Sequence, residues 1–195
     1  MNQSVDWIYQ PLNIDNTVVI KWQNEFKNLA LKISPDLQLH QNKLIAEFNH
    51  EVIYKFCPSF KQFLNQEKIL DNLFYVCFII NKGKDLPIHN DGFSPKYALN
   101  VPIDNCKNTY TVFYDAQLTE RHTVEHASES FPQVSYGLYA DETTATEIAR
   151  IDANLPHWIN ITVPHKAEVY HDALRVNCSI RFQDSIVDYL INKYK

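Results

Sequence analysis

No Cys-x-x-Cys pair occurs in this chain; its four cysteines, Cys57, Cys77, Cys106 and Cys178, are far apart. A zinc-thiolate site or a disulfide framework needs paired or closely spaced thiols, so neither is expected. Cys77 and Cys178 sit inside apolar stretches and read as reduced core residues. Positive charge is not in excess either. The formal net charge of −5 leaves no electrostatic footprint for nucleic acid or an anionic membrane, and no basic run stands out. Residues 1–6 lack a basic region followed by an apolar one, so no signal peptide is expected. No stretch approaches the roughly 20 apolar residues of a membrane span. Internal repeats and low-complexity linkers are also missing, which leaves residues 1–195 as one expected domain. A soluble, reduced, cytoplasmic protein is the reading these absences give.

What is present is apolar and aromatic, 45% and 13% of 195 residues, enough for one sizeable core. Val19, Trp22, Phe26, Leu29 and Ile33 recur at helical spacing and predict a helix over 16–33, broken by Ser34-Pro35-Asp36. A second helix is expected over 59–70, after Cys57-Pro58, with Phe60, Phe63, Leu64 and Ile69 on its apolar face. After Asp71-Asn72 the pattern changes. The run 73–81 (LFYVCFIIN) is almost wholly apolar, β-branched or aromatic and predicts a buried strand. Shorter strands are expected over 97–103, 109–114, 133–139, 157–163 and 175–182, and a short amphipathic helix over 184–195. The predicted fold class is therefore mainly β with flanking α-helices. N-terminal helices (about 16–70) buttress a jelly-roll core (about 73–182). The polar segment 116–132 reads as a long loop between strands. It holds His122, Glu125 and His126, whose His-x3-His spacing suits a metal only on a helix, and an exposed loop is the plainer reading.

The candidate chemistry begins at His89-Asn90-Asp91. On a strand, side chains two apart point the same way, so His89 and Asp91 converge. An imidazole and a carboxylate on one face are two of the three ligands of a 2-His-1-carboxylate iron site. His157, His165 and His171 compete for the third place. His165 is preferred: Pro164 ends an alternating strand and leaves the imidazole at its mouth. Arg175 opens the last strand, and a turn through Tyr170-His171-Asp172-Ala173 would let His165 and Arg175 face one another across a hairpin. His171 and Arg181 share that spacing. They rank lower, since His171 falls in the turn and Arg181 near the strand end. A guanidinium beside such a metal is a natural bidentate partner for a carboxylate held at fixed distance from it. Trp158, Tyr110 and Tyr114 are candidate pocket walls, although aromatics in strands are more often core.

The ordered set His89-x-Asp91, His165, Arg175 resembles the iron(II)- and 2-oxoglutarate-dependent dioxygenases, in particular small hydroxylases of bacteria and phages. The phrases around it carry the same likeness: Ala98-Leu99-Asn100-Val101-Pro102-Ile103, Val163-Pro164-His165, and Arg175-x3-Ser179-x-Arg181-Phe182. The resemblance implies a double-stranded β-helix, with His89, Asp91 and His165 as iron ligands. It implies Arg175 as the holder of the distal carboxylate of 2-oxoglutarate, and Asn100 as a helper of that co-substrate. It further implies dioxygen as oxidant, with succinate and carbon dioxide released. Related halogenases carry a small residue at the position of Asp91, so hydroxylation of a C–H bond is the implied outcome. The substrate class stays open among a small molecule, an amino acid and a peptidyl side chain. Segment 116–132 and the N-terminus are its candidate selectors. Two other readings stand beside this one. A cupin-like metalloenzyme would use the same ligands without 2-oxoglutarate, and a jelly-roll binding module or plain β protein would carry structural histidines.

Overall fold

Periodicity of 3.6 gives way to buried strands near residue 73, and the chain folds as that change dictates. The computed structural model describes residues 8–33, 44–81, 87–92, 95–125 and 134–194. In chain order the elements begin with β1 (Tyr9–Pro11), α1 (Asn16–Ile33), β2 (Leu44–Phe48), α2 (His50–Phe56), α3 (Pro58–Gln66) and a 3-10 turn (Leu70–Asn72). Then come β3 (Leu73–Asn81), β4 (His89–Asn90), β5 (Tyr97–Asp104), β6 (Thr109–Asp115), β7 (Leu118–Glu125) and β8 (Val134–Ala140). The chain closes with β9 (Thr146–Asp152), β10 (His157–Asn160), β11 (His165–Val169), β12 (Arg175–Phe182) and α4 (Asp184–Lys193).

The described strands form two six-stranded sheets, ordered β1-β10-β5-β12-β3-β2 and β7-β8-β4-β11-β6-β9. Among the described residues every pairing is antiparallel. β12, central in the first sheet, shows the logic. Val176, Cys178, Ile180 and Phe182 join the main core with Trp22 and Phe26 of α1, Phe60 and Leu64 of α3, and Val187 of α4. Trp22 packs edge-on against Phe60, ring centroids 5.2 Å apart. The alternate residues, Arg175, Asn177, Ser179 and Arg181, therefore point to the opposite face. All four are buried there. A smaller cluster joins Ala98 and Ile159 of the first sheet to Phe113 of the second, so the two sheets pack face to face.

Several expectations change on contact with this architecture. Segment 116–132 is not one loop: β7 occupies its first half and pairs with β8 in register from Leu118↔Ala140 to Glu125↔Val134. Its polar sequence hides a strand because it carries no apolar alternation. His122 and Glu125 lie on that strand and not on a helix, while His126 falls outside the described residues. β10 stops at Asn160, because the Asn160 Oδ1 accepts from both the backbone N–H and the hydroxyl of Thr162 and turns the chain before Pro164. The expected helix over 59–70 ends at Gln66, and Lys68 takes a left-handed φ of 58° before the 3-10 turn. Short elements β1, β2, α2 and β11, and the exposed β9, were not anticipated by the pattern. All four cysteines are free and buried. Among the described residues, no helix is long and apolar enough to cross a membrane.

Candidate metal centre

β4 is only two residues long, yet it is bonded on both sides, to β11 and to β8. Its register with β11 makes His89 and His165 direct partners across the strands. Their rings lie 4.8 Å apart, centroid to centroid. Directly after β4 the backbone N–H of Asp91 donates to the carbonyl of Ile161 at 3.1 Å, which ties the next residue to the turn before β11. Gly92 follows with a φ of 100°, a conformation that side chains disfavour, so the chain leaves sharply behind Asp91. The result is a trio: one donor atom each from His89, Asp91 and His165, all within 4.8 Å of one another.

The two imidazoles are held in the same way. His89 Nδ1 lies 2.8 Å from the carbonyl of Pro87, and His165 Nδ1 lies 2.8 Å from the carbonyl of Val163. A carbonyl can only accept, so each Nδ1 carries the proton and donates it. Each Nε2 is left with its lone pair, the state a metal-binding imidazole needs. The Nε2 of His89 sits 3.3 Å from Asp91 Oδ1. Asp91 Oδ2 is taken by Arg181, whose Nη2 donates at 2.6 Å. Burial works against ionisation of Asp91, but the guanidinium of Arg181 and the two imidazoles hold its carboxyl well below the usual carboxylate range. Burial pushes the His165 imidazole down to about 4. Below the trio, Phe113 lies against His165 at 5.8 Å between ring centroids.

The other expected site residues are distributed differently from the hairpin picture. β11 and β12 belong to different sheets, so His165 and Arg175 do not face one another across a hairpin. It is Arg181, ranked lower from sequence, that touches the trio. Arg175 is buried further along the inner face of β12, where it interacts with Cys106 and His157. Asn100 faces the same interior as the register partner of both His157 and Ser179. His171 sits in the turn before β12, with Nε2 on the carbonyl of Asn105 at 2.9 Å, away from the trio. Trp158 belongs to the helix-side core against Phe182, and Tyr114 reaches Glu168; both serve packing. Arg181 was legible in one respect: period-2 alternation places it on the face of Arg175.

The interior between the trio and Arg175 is polar and under-bonded. Among the described residues, Asn177 Nδ2 and Oδ1, Asn100 Oδ1, His157 Nε2, and Arg181 Nε and Nη1 are buried with no hydrogen-bond partner within the protein. Each such group costs about 1–3 kcal/mol when left unmatched. So many on one wall leave an inner face whose polar groups the described protein atoms do not satisfy.

No protein-family model and no curated protein matches the sequence. Solved structures do. The non-heme alpha-ketoglutarate-dependent carbocyclase SnoK from nogalamycin biosynthesis superposes with a TM-score of 0.54 at 11% identity, over 90% of this chain and 80% of that one. The epimerase SnoN, solved with Fe3+, alpha-ketoglutarate and nogalamycin RO, gives 0.47 at 15% identity, over 93% and 83%. HygX from Streptomyces hygroscopicus, with nickel and 2-oxoglutarate bound, gives 0.47 at 8% identity, over 88% and 80%. At such identities the likeness to SnoK is one of fold.

Proposed function

We propose that this protein is an iron(II)- and 2-oxoglutarate-dependent oxygenase built on a double-stranded β-helix. The observation that carries the reading is the trio itself: two imidazoles with Nε2 freed by backbone carbonyls, and one carboxylate oxygen beside them. That donor set fits a divalent iron and leaves coordination positions open, because no fourth protein ligand stands within the described cluster. His89, Asp91 and His165 would hold the metal. Arg181 fixes Asp91 through Oδ2, so that Oδ1 is the oxygen presented to the ion. Arg175 would anchor the distal carboxylate of 2-oxoglutarate, and Asn100 and Asn177 supply amide groups along the way.

Bound iron, with dioxygen and the keto acid, supplies the oxidising power: the keto acid is converted to succinate and carbon dioxide, and one oxygen atom enters a substrate C–H bond. The protein's own work is orientation and exclusion of water. Burial of Arg175 concentrates its charge on a carboxylate. Hydroxylation is the reaction we assign, because Asp91 fills the ligand position. The substrate class is a small molecule, a free amino acid or a peptidyl side chain.

Anaerobic addition of iron(II) and 2-oxoglutarate tests the assignment through the weak visible charge-transfer band of the chelate. The band is expected in the wild type and in His171→Ala, and is expected to be lost in His165→Ala and Arg175→Ala. Metal binding that is indifferent to 2-oxoglutarate and to Arg175→Ala would favour a metalloenzyme of another kind.

A further inference from the structure

His157 is the buried titratable group that the reading above leaves without a task. It has no solvent exposure. Its Nδ1 lies 2.6 Å from the carbonyl of Leu155 and must donate to it, so Nε2 points into the interior and finds no partner among the described residues. The residue stands on β10 as register partner of Asn100, which is in turn register partner of Ser179. This row crosses the inner face of the first sheet. Arg175 approaches from β12, with Cys106 beside it. From β1 the ring of Tyr9 covers the imidazole, centroids 5.5 Å apart, and the Tyr9 hydroxyl in turn feels the charge of Asp152. The charge acting directly on His157 is that of Arg175.

We propose that His157 forms the distal wall of the keto-acid pocket beside Arg175 and takes up a proton when a carboxylate binds there. The inference rests on the assignment of Arg175 to the co-substrate. Its logic is electrostatic. With the pocket empty of anions, burial and the neighbouring guanidinium keep the imidazole neutral, its pKa pushed down to about 4. A neutral Nε2 offers a lone pair, which opposes a carboxylate oxygen. A protonated Nε2 offers a donor. A carboxylate seated on Arg175 cancels the repelling charge and supplies an acceptor in the same step, and both changes favour the imidazolium. Binding therefore raises the pKa of His157, and a proton enters with the ligand wherever the pH lies between the free and bound values. In that window affinity rises as pH falls, by up to about tenfold per pH unit. The fold thus carries a carboxylate sensor one sheet away from the metal ligands.

Calorimetric titration of 2-oxoglutarate into anaerobic, iron(II)-loaded protein tests this, in buffer pairs of different ionisation heat between about pH 5.5 and 8. Loading the metal first removes His89 and His165 from the proton count. The expected result is uptake of up to about one proton per ligand in the wild type. His157→Gln should bind 2-oxoglutarate with no uptake and with an affinity that no longer follows pH. Should that variant fail to fold, isotope-labelled imidazole signals in zinc-loaded wild type serve instead, and His157 is expected to shift to its charged form on ligand addition. Binding without uptake in the wild type, or uptake that persists in His157→Gln, overturns the inference and leaves the oxygenase reading intact. Failure of the wild type to bind 2-oxoglutarate overturns both.

Discussion

Arg181 reaches across the interior from β12 and donates to Asp91 Oδ2 at 2.6 Å, joining residues 90 positions apart in sequence. The arginine side chain is 4% exposed and the aspartate 29%, so the pair sits at the inner edge of the site with one side toward solvent. Such a bond does two things. It fixes which carboxylate oxygen is presented beside His89, and it compensates the buried cation.

Removing the bond while keeping the ligand should separate these roles. Arg181→Met leaves His89, Asp91 and His165 in place but frees the carboxylate to rotate. Metal affinity is expected to fall about 10- to 100-fold, the usual effect of losing a group that orients a ligand. Titration with iron(II) or cobalt(II), compared with wild type, measures it. Unchanged affinity would mean that the backbone bond from Asp91 to Ile161 suffices.

The converse change acts on the fold. Asp91→Ala should abolish metal binding and succinate formation. It also strands the Arg181 charge in a buried wall, for which a loss of about 3 kcal/mol is expected in the metal-free protein. Denaturant melts of both proteins without metal read this directly. Equal midpoints would show that the guanidinium finds another acceptor.

Acid stability follows from His157. Its pKa in the folded chain is pushed down to about 4, while in the unfolded chain it titrates near 6.5. The unfolded state therefore binds the extra proton. Stability from this residue is complete above about pH 6.5 and drains away as pH falls toward 4. Melting temperatures of the metal-free protein should fall across that window, less steeply in His157→Gln. A parallel decline in the two proteins would assign the acid sensitivity to other groups.

On the outer face of the second sheet, Arg150 Nη1 donates to Glu168 Oε2 at 2.8 Å while its other nitrogens hold Glu147. Burial opposes ionisation of Glu168, but Tyr170, Arg150 and Lys166 bring its carboxyl down to about 2. Stability from Glu168 is thus present above the ordinary glutamate range and lost as pH falls toward 2. Arg150 is one third exposed, which tempers the loss expected from Arg150→Met to about 1 kcal/mol. Melts at neutral pH measure it. Metal affinity should be unaffected, since this network faces away from the trio.

How much of this was legible beforehand depends on what each segment buries. β12 is buried along its whole length and β3 is almost wholly apolar, so both are legible as strands; the expected bounds 73–81 and 175–182 are the observed ones. α1 was legible because one face carries Trp22, Phe26 and Leu29 into the core. β7 and β9 were not, because their polar sequences carry no apolar period; β9, largely exposed, reads Thr146-Glu147-Ile148-Ala149-Arg150-Ile151-Asp152. The trio His89, Asp91, His165 could be named as candidates from spacing, since two of its members are two residues apart and the third follows the expected strand 157–163; that His165 itself opens a strand, β11, was not foreseen. The role of Arg181 could not, because spacing does not say which sheet a strand will join. Once β12 is seen beside β5 and β3 rather than β11, the far end of that strand lies over Asp91.

Gly92 and the brevity of β4 have a mechanical consequence. Two residues of strand, paired with β11 at His89 and with β8 at His89 and Asn90, make a short join. A metal held by His89 and His165 would act as a rivet through that join, closing a loop between distant parts of the chain. Amide exchange at Asn90 and Asp91 should therefore be quick in the bare protein and slow sharply once the rivet is in. The same two amides would then report, without any turnover, whether a given molecule of this protein is loaded.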